Sequence, residues 1–348
     1  ELNNVESHSY DVIVIDTNTR HVKAEEARKK IESIIEHFKN MKINIDYIYK
    51  KTDSALRGNV GSELAALLYS SDFNELHFIP ALPDFKRVTI EGIHYIDGIK
   101  LEDSIFSKDP FEPVRKSSVK EIIRSQEDVE VVNSKECLEE TATKKIIVYD
   151  AIRNEDILNI ANCLYEEGRL KILAGCAGFV NVLPKIIDFP QRDKERTQAR
   201  GSLLAVCGSV NPITRAQVEH SIEDGFASIM VNRERLERLE NYWETDEGRV
   251  IISQLTSYLR RGQDTIVYLD SLFNEIVDLD MEERFKIAEG IGSLVKILIE
   301  ENLVKNVLVT GGDTIRSLCN LAGVKTLIPN CEIIEGIVKS EMIIDDNS

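Results

Sequence analysis

The sequence is short of positive charge: 43 lysines and arginines stand against 60 aspartates and glutamates, a formal net charge of -17 over 348 residues. Such a surface repels nucleic acid and anionic membranes, which excludes both as partners unless a local basic patch intervenes. No basic run longer than a few residues occurs. Long apolar runs are also missing, so no stretch reads as a membrane span, and the opening ELNNVESHSY has no signal-peptide pattern. The six cysteines (Cys137, Cys163, Cys176, Cys207, Cys319 and Cys331) form no C-x-x-C pair and sit mostly in apolar patterns of buried free thiols. That usage fits a reducing, cytoplasmic location.

Several catalytic fingerprints are absent as well. There is no G-x-x-x-x-G-K-[ST] loop and no G-x-G-x-x-G after a strand, so neither a P-loop nor a dinucleotide turn is present. No H-E-x-x-H or Cys/His cluster points to zinc; the dispersed His77 and His94 read as structural polar residues. Cys176 has no identifiable base partner and reads as packing rather than as a nucleophile.

What the chain does have is alternation. Short apolar runs (YDVIVIDT, IDYIYK, LHFIPAL, KKIIVYDA, LKILAG, SLLAVCGS, FASIMVN, DTIVYLDS and VKNVLVT) are separated by amphipathic segments of helical period. This is the signature of α/β architecture with mainly parallel sheets. In the first such segment Ala27, Ile31, Ile34, Ile35 and Phe38 recur at helical spacing. Residues 84–143 are less regular, with the Gly, Pro and Asp punctuation of hairpins and long loops. At this length two α/β domains with a cleft between them are expected. The charge-dense segment from Asp188 to Gly201 is the linker candidate, dividing the chain into 1–197 and 198–348.

Chemistry-bearing residues gather where strands end. Three strand-to-helix junctions carry small residues: LAGCAG (Gly175, Gly178), VCGSVNPIT (Gly208, Ser209, Asn211, Thr214) and VTGGDT (Gly311, Gly312, Asp313, Thr314). Glycine lets backbone amides approach a ligand, and a helix N-terminus favours phosphate. The competing view is a tight turn in which Asp313 or Thr314 caps its helix. A second group lies in KKTDSALRG, where Lys51, Asp53 and Arg57 bracket a turn at the end of a strand; Arg87 follows the next strand and adjacent parallel strands would bring it close. Cations there suit a carboxylate ligand, and Asp53 could accept a hydroxyl proton. A local ion-pair network among Lys51, Asp53 and Arg57 is an equal alternative.

The segments YKKTDSALRGNVGSELAALL, PALPDFKRVTIEGIHYIDGIKLEDSIFSKDPFEPV, LAGCAG, VCGSVNPIT and VLVTGGDT, in this order, resemble the four-carbon acid sugar kinases, formerly catalogued as a domain of unknown function. The resemblance implies an N-terminal acid-sugar domain, a C-terminal ATP domain, and phosphorylation of the terminal hydroxyl of threonate, erythronate or their dehydro relatives. Carried over by motif, Lys51, Asp53, Ser54, Arg57 and Arg87 fall on the acid-sugar side, and Ser209, Gly311, Gly312, Asp313 and Thr314 on the ATP side. ATP with Mg²⁺ is the implied cofactor, Asp53 and Asp313 are the rival catalytic carboxylates, and closure of the domains would align hydroxyl and γ-phosphate. Assembly into a homo-oligomer is compatible with this reading.

The family's opening D-D-x-T-G segment and its late K-x-G-x-F-G-like strand are not found in the sequence. Those departures motivate the alternative of a non-catalytic acid-sugar sensor. A hydroxy-acid dehydrogenase ranks lower, because its glycine fingerprint is lacking.

Overall fold

The computed structural model describes residues 11–109, 112–136, 143–189, 201–208, 212–239, 241–272, 281–334 and 337–344. The chain separates into two compact units, Glu1–Gln191 and Arg192–Ser348. Both are α/β, each built on a mainly parallel sheet. The expected linker falls largely on residues 190–200, outside those described.

The first unit runs α1 (Ala24–Asn40), β1 (Ile48–Lys51), α2 (Val60–Ser70), β2 (Glu75–Ile79), β3 (Arg87–Ile90), β4 (Ile93–Ile96), β5 (Ile99–Lys100), α3 (Val119–Arg124), β6 (Glu130–Asn133), β7 (Lys145–Val148), α4 (Asn154–Glu166), β8 (Ile172–Gly175) and α5 (Ala177–Val180). Its five-stranded sheet has the order β1-β8-β2-β7-β6 and every pairing is parallel. Strands buried on both faces read as near-continuous apolar runs, and KIIV of β7 and ILAG of β8 are buried at every position, the one charged side chain, Lys145, pairing with Glu75 at 3.2 Å.

One face packs Phe78, Ile146 and Ile172 against Ile31 and Ile35 of α1, Leu64 and Leu68 of α2, and Ile123 of α3. The other packs Leu173 against Ile157, Ala161 and Leu164 of α4 and Phe179 of α5. Full burial of each such side chain is worth about 1.5–3 kcal/mol. The irregular stretch from residue 84 supplies a separate antiparallel sheet, β3-β4-β5, with Arg87 opposite Ile96 and Thr89 opposite His94.

The second unit runs β9 (Leu203–Cys207), α6 (Pro212–Glu223), β10 (Ala227–Val231), α7 (Arg233–Arg238), α8 (Asp246–Arg260), β11 (Thr265–Leu269), α9 (Met281–Glu300), β12 (Asn306–Thr310), α10 (Gly312–Leu321), β13 (Val324–Ile334) and β14 (Ile337–Ile344). Its parallel sheet has the order β10-β11-β9-β12. Leu204, Val206 and Val267 face Leu255, Ile291, Leu294 and Leu318, while Ala205 and Ile266 face Val218 of α6. β13 and β14 form an antiparallel hairpin.

Three details differ from the sequence expectation. Residues 11–17 are described but form no strand, and Val14 is 89% exposed. β1 and β2 are not adjacent, because β8 inserts between them. The helix expected after Gly178 is short, and its approach depends on two glycines. A Cβ on Gly175 would meet the Ile79 carbonyl, with the Tyr49 hydroxyl 2.9 Å and Phe179 Cβ 3.1 Å away; one on Gly178 would meet the Ala81 carbonyl.

Overpacking at such a contact costs about 1–3 kcal/mol. Gly175→Ala is therefore expected to lower the unfolding free energy by that amount, read from the urea midpoint at unchanged slope; an unaltered midpoint would show that β8 and α5 can separate freely.

Candidate functional site

At the carboxyl end of β1 the ladder continues for one residue, Thr52 N–H donating to the Gly175 carbonyl at 2.7 Å. The chain then turns on Asp53. Its carboxylate accepts from the Ala55 amide at 3.1 Å and the Arg57 amide at 3.3 Å, so the side chain replaces a backbone acceptor. Leu56 takes φ +57° with its side chain buried, and Gly58 takes φ +81° before the chain enters α2. A left-handed leucine costs backbone energy, and such strain persists where the surroundings over-determine it.

The same carboxylate receives the Arg57 fork, Nε at 2.9 Å and Nη2 at 3.1 Å, and Arg20 Nη2 at 3.0 Å. Burial would raise the Asp53 pKa, but the hydrogen bonds and charge of Arg57, with Arg20 behind them, hold it below the ordinary carboxylate value. Arg57 Nη1 reaches Asp109 at 2.8 Å. Both of its faces of charge are thus satisfied within the chain.

Arg87 differs. From β3 its Nη1 donates to Ser54 Oγ, its Nε is buried without a partner, and among the described residues no carboxylate pairs with it. The Arg57 and Arg87 guanidinium carbons lie 4.9 and 5.6 Å from the centroid of one ring, Phe106. Arg87 therefore arrives by way of the antiparallel sheet, not by the strand adjacency expected from sequence. Lys51 is exposed and, among the described residues, its Nζ reaches only the Thr52 carbonyl at 3.3 Å, whereas its neighbour Lys50 is paired with Glu63 at 2.7 Å. The local ion-pair alternative thus describes Asp53 and Arg57 but not Lys51 or Arg87.

Thr52 is buried with Oγ1 unpartnered. Cys176, on the neighbouring β8 loop, is 1% exposed, donates to the Pro80 and Ala81 carbonyls at 3.2 Å, and has its thiol pKa pushed up by burial. It packs, as its sequence suggested. His77 and His94 are both buried and hydrogen-bonded, and burial brings each pKa down to about 4.

In the second unit β12 ends at Gly311, whose φ of +107° turns the chain into α10. Among the described residues no side chain caps this helix, and neither Asp313 nor Thr314 takes the capping role. A Cβ on Gly312 would meet nothing within 4 Å, leaving open space beside the first-turn amides. Thr314 is buried instead against Gly208, where a Cβ would strike its Oγ1; this draws the β9 and β12 exits together. Asp313 is exposed. Ser209 lies outside the described residues.

Sequence reasoning missed Arg20, Thr52, Phe106 and Asp109 on the first edge, and Asn232 and Asp270 on the second, and it read His94 as a structural polar residue. Asn232 and Asp270 bond each other at 3.0 Å, and Asp270 also accepts the Arg233 amide at 2.9 Å. His94, Phe106 and Asp109 did lie inside a segment that carried the family resemblance, which was the available signal.

A cation-rich carboxyl edge on one α/β unit suits a small anion, and an uncapped glycine turn on the other suits phosphate. The comparisons agree. The family model described as "Sugar-binding N-terminal domain" matches residues 1–183, and that described as "Nucleotide-binding C-terminal domain" matches residues 204–345. The chain belongs to the four-carbon acid sugar kinase family and is a sugar-acid kinase by class.

Similar curated proteins include the D-threonate kinase of Salmonella typhimurium, 25% identical over 339 residues, covering 91% of this chain and 78% of the relative. The D-erythronate kinase of Heliobacterium modesticaldum is 24% identical, covering 89% and 75%. In fold, the chain resembles a solved Haemophilus influenzae protein of the DUF1537 family, with a TM-score of 0.71 at 19% identity over 95% of this chain and 84% of that one. Among the described residues no helix is long and apolar enough to cross a membrane.

The depressed Asp53 pKa has a definite sign. Its stabilisation is complete above the unfolded carboxylate value of about 3.9 and is lost as pH falls through the lower folded value. The stability gap between the protein and Asp53→Asn, from urea midpoints, is expected to be constant from pH 7 to 5 and to shrink below pH 4. A gap that widened on acidification would contradict the pairing.

Proposed function

We propose that this protein is an ATP-dependent kinase that phosphorylates the terminal hydroxyl of a four-carbon acid sugar of the threonate or erythronate type. The observation carrying the reading is Arg87, a guanidinium that pairs with no carboxylate among the described residues and is aimed by Ser54 and Phe106; Lys51, at the end of β1, likewise has no described carboxylate partner. A planar fork of this kind suits a carboxylate. Arg57, saturated by Asp53 and Asp109, shapes the site instead of gripping the ligand. The buried Thr52 hydroxyl is the acceptor or donor left for a substrate hydroxyl. Relatives named D-threonate kinase and D-erythronate kinase support the substrate class.

ATP is assigned to the Gly311–Gly312 turn, where uncapped amides and the positive end of α10 favour phosphate oxygens. Ser209 and Thr314 belong to this side. Asp313 would repel bare phosphate, so its presence in the first turn fits a divalent cation, which its carboxylate would help to hold. Bound Mg²⁺ would neutralise charge on the transferring phosphoryl group.

In the reaction the terminal hydroxyl oxygen bonds to the γ-phosphorus, the bond to the β-phosphate oxygen breaks, ADP leaves, and the hydroxyl proton is released. Phosphoryl transfer needs alignment more than a strong base. Asp53, with its lone pairs occupied and its pKa lowered, organises Arg57 and Arg20 and is poorly suited to take that proton. Asp313 is the carboxylate that remains for a role at the phosphates. The free cysteines and the acidic surface fit a cytoplasmic metabolic enzyme.

A screen of ADP release over the stereoisomers of threonate, erythronate and dehydrotetronate tests the reading directly; no stimulation by any of them would overturn it. In Arg87→Met the KM for the acid sugar is expected to rise about 10- to 100-fold, the worth of a charge-assisted hydrogen bond, with KM for ATP unchanged. In Asp313→Asn, kcat falls by an order of magnitude or more while acid-sugar binding measured by calorimetry persists.

A further inference from the structure

The imidazole of His94 takes part in none of the roles assigned above, yet it sits at the centre of the elements that aim them. It lies on β4 at 0% exposure, directly opposite Thr89 of β3. Nδ1 is 3.1 Å from Thr89 Oγ1 and Nε2 is 3.0 Å from the backbone carbonyl of Ser54. A carbonyl can only accept, so Nε2 carries a proton and donates it to Ser54. In the neutral ring Nδ1 is then the acceptor, and Thr89 Oγ1–H is its donor. Burial keeps the ring neutral.

Both ends of this chain of bonds are anchored. Thr89 exchanges backbone hydrogen bonds with Ala151, just beyond β7 of the main sheet, at 3.1 and 3.0 Å. His94 N–H donates to the Ser117 carbonyl at 2.8 Å. At the far end Ser54 is gripped twice, its carbonyl by His94 and its hydroxyl by Arg87. Ser54 is the link between the loop that follows β1 and the antiparallel sheet that carries Arg87. Without the imidazole its carbonyl would lose a buried donor, and the loop would be free to rotate the hydroxyl away from the guanidinium.

We propose that His94 is a positioning residue: by holding the Ser54 carbonyl from a Thr89-fixed tautomer, it sets the aim of Ser54 Oγ and Arg87 on the carboxylate of the acid sugar. The inference rests on the acid-sugar reading of this edge and adds a determinant of affinity that does not touch the ligand. Small misplacements of a clamp are costly, because its geometry must be held to within a fraction of an ångström.

Two substitutions separate this role from simple packing. The amide nitrogen of glutamine can occupy the Nε2 position and donate to Ser54, whereas asparagine reaches only the Nδ1 position and leaves the Ser54 carbonyl unmet. His94→Asn is expected to raise the acid-sugar KM tenfold or more, with KM for ATP within twofold and kcat within threefold; His94→Gln recovers acid-sugar KM to within threefold of the unaltered protein. Hydrogen exchange at the Ala55 and Arg57 amides is expected to quicken in His94→Asn and not in His94→Gln. Equal losses in the two variants, or equal changes in both KM values, would reduce His94 to a core residue and overturn the proposal, as would an unaltered His94→Asn. If the unaltered protein phosphorylates no acid sugar, the substrate reading falls; the exchange result still decides whether His94 holds Ser54, unchanged rates in His94→Asn refuting it.

Discussion

The forked pair between Asp53 and Arg57 is the constraint on which the first site depends. It closes a five-residue turn at the end of β1, and it does so with a charged side chain in place of a backbone ladder. Because Asp53 also binds Arg20 and Arg57 also binds Asp109, one carboxylate and one guanidinium tie together three separate stretches of chain. A half-buried network of this kind is costly to break, since removing one member strands the others away from water. It is less a source of net stability than a means of specifying one loop geometry out of many.

Satisfying Arg57 in this way has a consequence for recognition. Around the edge stand the cations Arg20, Lys50, Lys51, Arg57 and Arg87 and the carboxylates Asp53, Glu63 and Asp109. Three of the cations are spoken for by carboxylates of the same edge, with Arg20 sharing Asp53, and the surplus falls on Lys51 and Arg87. On a chain of net charge -17 such a surplus is costly to maintain unless an anion completes it. The surplus cations lie beside Ser54, Thr52 and Phe106, so a ligand drawn to them also meets hydroxyls and an aromatic face, a combination suited to a hydroxylated carboxylate.

Much of the scaffold was legible in the sequence because both periods were clean: the strands buried on two faces read as unbroken apolar runs, and α1 shows its stripe of Ala27, Ile31, Ile35 and Phe38. Lys51, Asp53, Ser54 and Arg57 were legible as a turn for the same reason, lying where an apolar run stops. Strand order was not legible. The insertion of β8 between β1 and β2 is a long-range pairing that no local pattern encodes, and it is why Arg87 could be placed near the group for the wrong geometric reason. Apolar alternation over Tyr10–Thr17 likewise promised a strand, but a strand needs a neighbouring strand in a ladder, and the described part of that stretch belongs to no sheet. Arg20, Phe106 and Asp109 showed no local pattern marking them as site residues, because their roles arise from contacts across 33, 49 and 52 positions of sequence, the middle figure being the separation of Phe106 from Arg57.

Under the proposed function the two edges meet the problem of anion binding by different physics, and the difference follows from the ligands assigned to them. A carboxylate is a compact, planar monoanion, best matched by a planar guanidinium, and the first unit presents one in Arg87. A polyphosphate spreads charge over many oxygens, which backbone amides and a helix dipole can meet without long side chains; the second unit offers Gly311, Gly312 and an uncapped α10. Glycine is required there by conformation at position 311, while position 312 faces open space, whereas Gly175 and Gly178 of the first unit are required by close packing. Three glycine-bearing junctions that look alike in sequence therefore serve two purposes, and only the backbone angle and the surroundings of the absent Cβ tell them apart.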